Sequence, residues 1–461
     1  MIDYRSSAVL VDDLRTLLHD TQIDASPSVL QLHSKGEAYP HAVLPEAVVY
    51  PESTLAVERI VSYAYENGVA VTPVGVNSSL EGQTVPVRGG ISLDLTRMNR
   101  IVEFKAEDLL IVVQPGVTYP QINDHTRRSG LFFPVDPGAH ASIGGMISTN
   151  ASGTAAVRYG VTGDYVLALE VVTPTGRTIR CGSRARKSSS GYALARLFTG
   201  AEGTLGVVTE ATIRLVGLPE AASVARVAFP DVTWATRYVT SIIQAGVPVA
   251  RCELMDALSI HTVNDYLNTD LPEQVTVFLE FHGNPAGVER EAELAQSLAE
   301  DTGALGFEAS SDVRRRAEIW RARHSALYAK LAANPNRAYV TTDLAVPISA
   351  LPEAVDTSLA MSRRLGLTSY LLGHVGDGNF HLGVFYAPDD PAAVERIEAL
   401  TGEMAELALR LGGTCTGEHG VGLRKLPYMA AEHGESLEVM RAIKRSLDPA
   451  DIMNPDKKLP R

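Results

Sequence analysis

Cysteine is scarce: Cys181, Cys252 and Cys415 are the three in 461 residues. A set so sparse and so widely spaced excludes a disulfide framework and a CxxC metal site, and it fits a reducing compartment. Long apolar runs are lacking too. No stretch approaches the ~18 residues that a membrane-spanning helix needs. The opening Met1-Ile2-Asp3-Tyr4-Arg5 has no basic region leading into an apolar run, so neither signal nor transit peptide is expected. Positive charge is the minority, with 41 Lys and Arg against 54 Asp and Glu, net −13. The short basic runs at 184–187 and 314–316 read as solvated faces. Nucleic-acid binding is not expected, because it needs a basic surface to displace counterions. Neither GxGxxG nor GxxxxGKS/T occurs, so the Rossmann and P-loop fingerprints are absent. A cytoplasmic protein is the expectation, with peripheral contact to a membrane as the alternative.

What is present is an ordinary globular composition, 45% apolar, in a chain too long for one core. Three parts are expected: 1–219, 220–413, and a C-terminal 414–461 that returns to the first. Residues 8–20 and 51–67 have helical apolar spacing, the second with Ser53 as a cap. Strands are expected at 69–73, 91–95 and 109–114, and a hairpin at 167–180 turning on Pro174-Thr175-Gly176. Beyond Pro219, strands and helices alternate with hairpin-like returns, which predicts an α+β domain on a mainly antiparallel sheet.

Four loops rich in glycine and hydroxyl residues lie in the first half: 73–82, 137–145, 150–153 and 202–206. Such loops offer backbone N–H groups and hydroxyls to anions without basic side chains. Four over that span suggest one long phosphate-bearing ligand. The stretch 134–160 is small-residue-rich but carries Ile143, Met146, Ile147, Val157 and Tyr159, so it reads as a binding surface rather than a linker.

Histidine gathers in two later pieces, Gly373-His374-Val375-Gly376-Asp377-Gly378-Asn379-Phe380-His381 and Cys415-Thr416-Gly417-Glu418-His419-Gly420. Two imidazoles and a carboxylate are a ligand set for a divalent metal with an open position. His374 and His381 are seven apart, which on an unbroken strand puts them on opposite faces. The glycine-bracketed turn between them can bring both to one point with Glu418. Zinc or manganese suits these donors. His419 is the candidate general base, since an imidazole titrates near neutrality.

In order and motif these pieces resemble the flavin-binding vanillyl-alcohol oxidase / p-cresol methylhydroxylase (PCMH) superfamily, in its branch of D-lactate dehydrogenases and glycolate oxidase subunits. The carrying segments are 73–82, 133–138, 153–160, 202–206, 373–381, 414–420 and 448–455. The resemblance implies a PCMH-type FAD-binding domain of two α+β subdomains plus an α+β substrate (cap) domain. It implies FAD held by Pro73, Gly75, Val76, Asn77, Ser78 and Leu80; by Pro137, Gly138, Ser142, Gly144 and Gly145; by Asn150, Ser152, Gly153, Tyr159 and Gly160; and by Glu202, Gly203, Gly206, Val207, Val208 and Asn454. No histidine lies in 73–82, so the flavin is expected to be non-covalent, with His140 as the one nearby exception.

The resemblance also places a substrate carboxylate on Arg323 of Trp320-Arg321-Ala322-Arg323, with Arg321 as fallback, and gives Asn379 a contact with substrate or flavin. Relatives acting on D-2-hydroxyglutarate carry a lysine just before the Asp-Leu-x-x-Pro segment. Here Thr341-Thr342 precede Asp343, so a short monocarboxylate such as D-lactate is expected. The implied activity is an FAD-dependent D-2-hydroxy acid dehydrogenase passing electrons to cytochrome c, a quinone or an electron-transfer flavoprotein, with a homodimer as one option for its assembly. A glycolate oxidase catalytic subunit is the near alternative, and a metal-dependent hydrolase the distant one.

Overall fold

The computed structural model describes residues 7–37 and 39–461; the leader reading of Met1–Arg5 lies outside them. Two compact units emerge. The first comprises Met1–Ser152, Val161–Leu218 and His419–Arg461; the second comprises Gly153–Gly160 and Pro219–Glu418. No helix of the described residues is long and apolar enough to cross a membrane.

The first unit contains two main sheets. One has the order Ile23–Asp24, Ala47–Val49, Ile91–Asp94, Val71–Val74, with the last three strands parallel. Parallel neighbours need a crossover, and helix Thr54–Asn67 supplies one. Its Val57, Ile60, Val61 and Ala64 are fully buried at helical spacing. Ser53 caps it by accepting the Ala56 N–H at 3.3 Å. Gly68 ends it at φ 65°, a backbone region where glycine is unstrained. Each such buried aliphatic contributes about 1.5–3 kcal/mol. The other sheet is antiparallel: Ile101–Lys105, Leu110–Val113, Val207–Arg214, Val166–Val172, Thr178–Gly182. The hairpin from 166 to 182 forms as its turn sequence predicts, and Val172 pairs with Thr178. The small-residue stretch is ordered: it forms helices Ile143–Thr149 and Ala156–Tyr159.

The C-terminal tail joins the first sheet. Val71 N–H donates to Ile452 and Asn454 N–H donates to Val71, both at 2.8 Å. Ile452 and Met453 are buried in that unit's core.

The second unit is an antiparallel sheet in the order Gly306–Ser310, Ala221–Phe229, Val275–Gly283, Val249–Met255, Ser369–Gly373, Asn379–Tyr386, Ala338–Thr341, with Leu344–Ala345 pairing to 379–386. Alternation sorts its two faces. Cys252, Leu254, Phe380 and Leu382 enter the larger apolar core. Glu253, between two of them, and His381 therefore face the other way. Helices Val313–His324 and Ala326–Ala333 are joined at Ser325.

Candidate active site

Strand register and one turn bring the second unit's histidines together. Ser369–Gly373 runs into a 3-10 turn, Val375–Asp377, and returns as Asn379–Tyr386, with Leu372 opposite His381. Gly378 makes this return possible. Its φ is 82°, and a Cβ there would lie 2.0 Å from the Val346 carbonyl oxygen. The two rings end 5.5 Å apart, edge to face. His374 Nε2 is 3.1 Å and His381 Nε2 3.2 Å from the same Glu418 oxygen. Ligand atoms of all three lie within 4.8 Å of one another.

The outer nitrogens decide what the inner ones offer. His381 Nδ1 lies 2.9 Å from the Thr342 carbonyl oxygen, which only accepts, so Nδ1 carries the proton. His374 Nδ1 donates to Glu253 at 2.7 Å. Were both rings neutral, each would turn an Nε2 lone pair toward the Glu418 carboxylate. Lone pairs and an anion converge stably only around positive charge, either protons or a metal ion. Bonds of about 2.0–2.2 Å to one ion would leave neighbouring ligands about 2.8–3.6 Å apart, from octahedral to tetrahedral geometry, a range that holds both His–Glu418 spacings. The donor set therefore fits a divalent metal. Electrostatics agree: burial works against a charged His374, but Glu253 and Glu418 outweigh it and raise its pKa well above the ordinary value. Burial would raise Glu418, yet His374 and His381 hold it well below the usual carboxylate range.

Two buried carboxylates with no foreseen role organise this cluster. Asp343 accepts from Asn379 Nδ2 at 2.8 Å, Thr416 Oγ1 at 2.7 Å and the Glu418 N–H at 3.1 Å, which fixes the loop carrying Glu418. Glu253 is completely buried and spans His374 and Arg323. Arg323 donates to it from Nε at 2.8 Å, and Nη2 is ion-paired with the same oxygen at 2.6 Å. One edge of the guanidinium is thus committed inside the protein, and the Nη1 side remains for a ligand. Arg321 is exposed. Asn379 spends Nδ2 on Asp343 and the Leu344 carbonyl, while its buried Oδ1 has no partner among the described residues. A charged strand-centre residue such as Glu253, in Val-Ala-Arg-Cys-Glu-Leu-Met, was the signal available in the sequence.

His419 belongs to the first unit. Its Nδ1 lies 3.0 Å from Glu81, which is completely buried. An ionised carboxylate accepts, so Nδ1 donates to Glu81. Burial would raise the Glu81 carboxyl, but Lys425, His419 and Arg424 bring it below its ordinary value. Glu81 lies inside the 73–82 loop and was not singled out from the sequence.

The proposed flavin residues divide into two groups. Gly75, Ser142 and Gly145 converge: a Cβ on Gly75 would lie 2.4 Å from Ser142 Oγ, and one on Gly145 would meet only that same atom, at 3.3 Å. Ser142 is buried and its Oγ has no partner among the described residues. It precedes helix Ile143–Thr149, whose first two N–H groups, on Ile143 and Gly144, donate to the Val117 and Pro115 carbonyls at 2.8 Å. An orphaned hydroxyl and absent side chains suit a phosphate-bearing ligand. Gly144 packs instead against Pro115, and Gly138 (φ 75°) is exposed after Pro137.

Other members of the proposed set are committed to the fold. Asn77, at φ 59°, binds the Leu32 and Lys35 carbonyls and accepts from Thr84. Val76 is exposed and Pro73, Ser78 and Leu80 are half-buried. Asn150 accepts from Gly163 N–H at 2.9 Å. Glu202 accepts from the Val421 and Gly422 N–H groups, and Asn454 binds the Gln83 and Glu202 carbonyls and Lys457. Gly203 lies against Pro73, and Gly206 opens the strand in which Val207 and Val208 are buried. Ser152 ends one segment of the first unit; Gly153 and Gly160, both at positive φ, bracket the short piece of the second in which Tyr159 bonds His282 at 2.8 Å. Exposed His140 lies beside the 141–145 loop.

Residues 45–182 match the FAD binding domain family, and residues 218–458 match the family of FAD linked oxidases, C-terminal domain. The chain belongs to the FAD-linked oxidase family. A probable mitochondrial D-lactate dehydrogenase of Danio rerio is 39% identical, covering 98% of this chain and 91% of the relative. A mitochondrial D-lactate dehydrogenase (cytochrome) of Arabidopsis thaliana is 37% identical, covering 98% and 80%. The glycolate oxidase subunit GlcD of Bacillus subtilis is 35% identical, covering 90% and 89%. Among solved structures, substrate-bound p-cresol methylhydroxylase superposes with TM-score 0.80 at 18% identity, covering 98% of this chain and 97% of its own. As an FAD-linked oxidase, the chain is an FAD-dependent oxidoreductase with the α+β, PCMH-type fold expected of it. The expected cytoplasmic location is corrected by these relatives, of which those from D. rerio and A. thaliana are named as mitochondrial. The error came from treating a missing leader signature as evidence of compartment.

Proposed function

We propose that this FAD-linked oxidase dehydrogenates small D-2-hydroxy acids, foremost D-lactate, to 2-oxo acids, with zinc or manganese on His374, His381 and Glu418. The observation that carries it is the pair of histidine Nε2 atoms 3.1 and 3.2 Å from one carboxylate oxygen, in a chain 39% identical to a relative named a probable D-lactate dehydrogenase. Bound FAD supplies the hydride acceptor and a bound divalent metal supplies a Lewis acid for the 2-hydroxyl. His419, oriented by Glu81, takes the hydroxyl proton at Nε2. Arg323 presents its Nη1 side to the substrate carboxylate, a charge-assisted contact. Asn379 offers Oδ1 to a donor on substrate or flavin.

The flavin is read as non-covalent, because 73–82 holds no histidine. Cytochrome c is the favoured acceptor, after the wording of the A. thaliana relative's name, ahead of a quinone or an electron-transfer flavoprotein. The GlcD relative supports a second reading, a glycolate oxidase catalytic subunit. The reading includes a homodimer, which light scattering tests.

The deciding experiment is anaerobic mixing of the yellow protein with D-lactate, glycolate, L-lactate and D-2-hydroxyglutarate. D-Lactate should bleach the flavin fastest. Bleaching by none of them overturns the reading, and bleaching by glycolate alone selects the second.

A further inference from the structure

We infer that Glu253 is a positioning residue that ties the metal ligand His374 to Arg323, so that metal retention depends on an arginine outside the ligand set. The inference rests on the metal reading above.

The geometry is specific. Glu253 lies at the centre of strand Val249–Met255, where Leu254 pairs with Gly373, the residue before His374. Its neighbours Cys252 and Leu254 enter the apolar core, so Glu253 points to the opposite face and is completely buried there. Its two oxygens have separate duties: Oε1 accepts from His374 Nδ1 at 2.7 Å, and Oε2 accepts from Arg323 Nε at 2.8 Å and is ion-paired with Nη2 at 2.6 Å. Two of the three contacts that orient this carboxylate thus come from Arg323. A buried carboxylate with one imidazole partner is poorly held and poorly solvated, whereas the guanidinium charge beside Oε2 neutralises it and anchors its plane. That plane in turn fixes the ring of His374 and keeps the proton on Nδ1, leaving Nε2 for a metal.

Arg323 accordingly has two functions on two edges. The Nε/Nη2 edge holds Glu253, and the Nη1 side is left for a substrate carboxylate. Binding of metal and of carboxylate therefore share one buried hinge point. Lysine at 323 would keep a charge for Glu253 but lose the fork, so it separates the two functions.

The test measures zinc and manganese affinity of the flavin-loaded chain by titration after chelator dialysis, beside KM and kcat for D-lactate. Glu253→Gln is expected to weaken metal binding roughly 10–100-fold, the usual effect of removing such a partner. Arg323→Met is expected to weaken metal binding in the same direction by roughly tenfold or more, and Arg323→Lys to restore most of it while KM stays raised. Flavin absorbance and the melting curve report whether each variant is folded, and Arg323→Lys serves if Glu253→Gln is not. Wild-type metal affinity in folded Arg323→Met and Arg323→Lys overturns the inference alone. A wild-type chain that binds neither metal overturns the metal reading and the inference with it.

Discussion

The two candidate sites use opposite parts of the chain. In the second unit the chemistry is in side chains: His374, His381 and Glu418, each with its outer atoms accounted for by Glu253, Thr342 or Asp343. In the first unit it is mostly in the backbone around Gly75, Ser142 and Gly145, where the feature that matters is the lack of side chains. The difference teaches how each fails. A side-chain site is destroyed by truncation and survives insertion nearby; a backbone cradle is destroyed by adding a single methyl group.

The largest expected effect breaks the first side of this comparison. Glu418→Ala should cut D-lactate-driven flavin reduction by at least about 10³-fold, since a metal Lewis acid contributes several kcal/mol. It should leave the yellow colour intact, and anaerobic stopped-flow absorbance checks both. His419→Ala should cost about 10²–10⁴-fold with metal content unchanged, as loss of a general base does.

The cradle is sharpened by neighbouring glycines. Gly144→Ala puts a Cβ 2.6 Å from Pro115 Cβ, a rigid neighbour, and should destabilise the chain by about 1–3 kcal/mol. Gly145→Ala has room in the protein, so the flavin-free melting temperature should hold while FAD affinity falls. Thermal melts with and without FAD separate the two.

The smallest effect concerns Lys330, which is buried with its Nζ 5.4 Å from the Tyr370 ring centroid. Burial, with Arg323 adding to it and Asp256 opposing, pushes its ammonium down to about 8. The unfolded chain, with an ordinary lysine near pKa ~10.4, binds more protons between those values, so stability should rise with pH across that window. Lys330→Met should be more stable than wild type at pH 7 by on the order of 1–3 kcal/mol, the gap closing toward pH ~10.4. Denaturant melts at both pH values test it.

Much of the fold was legible because periodicity is local: Val57, Ile60, Val61 and Ala64 declare helix Thr54–Asn67, and Pro174-Thr175-Gly176 declares its hairpin. The metal-type trio was legible because ligand chemistry is confined to few residue types. Glu253 and Asp343 were not, because a lone acid carries no sign of the sheet register or loop that buries it beside a histidine. The commitment of Asn77, Asn150, Glu202 and Asn454 to backbone groups was hidden likewise. Polar side chains in glycine loops look alike whether they serve a ligand or hold the loop, and only the structure gives their partners.

The tail that pairs with Val71 has a kinetic consequence. Residues 419–461 belong to the first unit, yet Pro219–Glu418 is made in between, about 200 residues and roughly 10–40 s of synthesis. Until the tail emerges, the outer parallel strand of the nascent first unit lacks its final partner and remains a sticky edge. Production of this protein is therefore expected to depend on chaperones that shield an unfinished sheet.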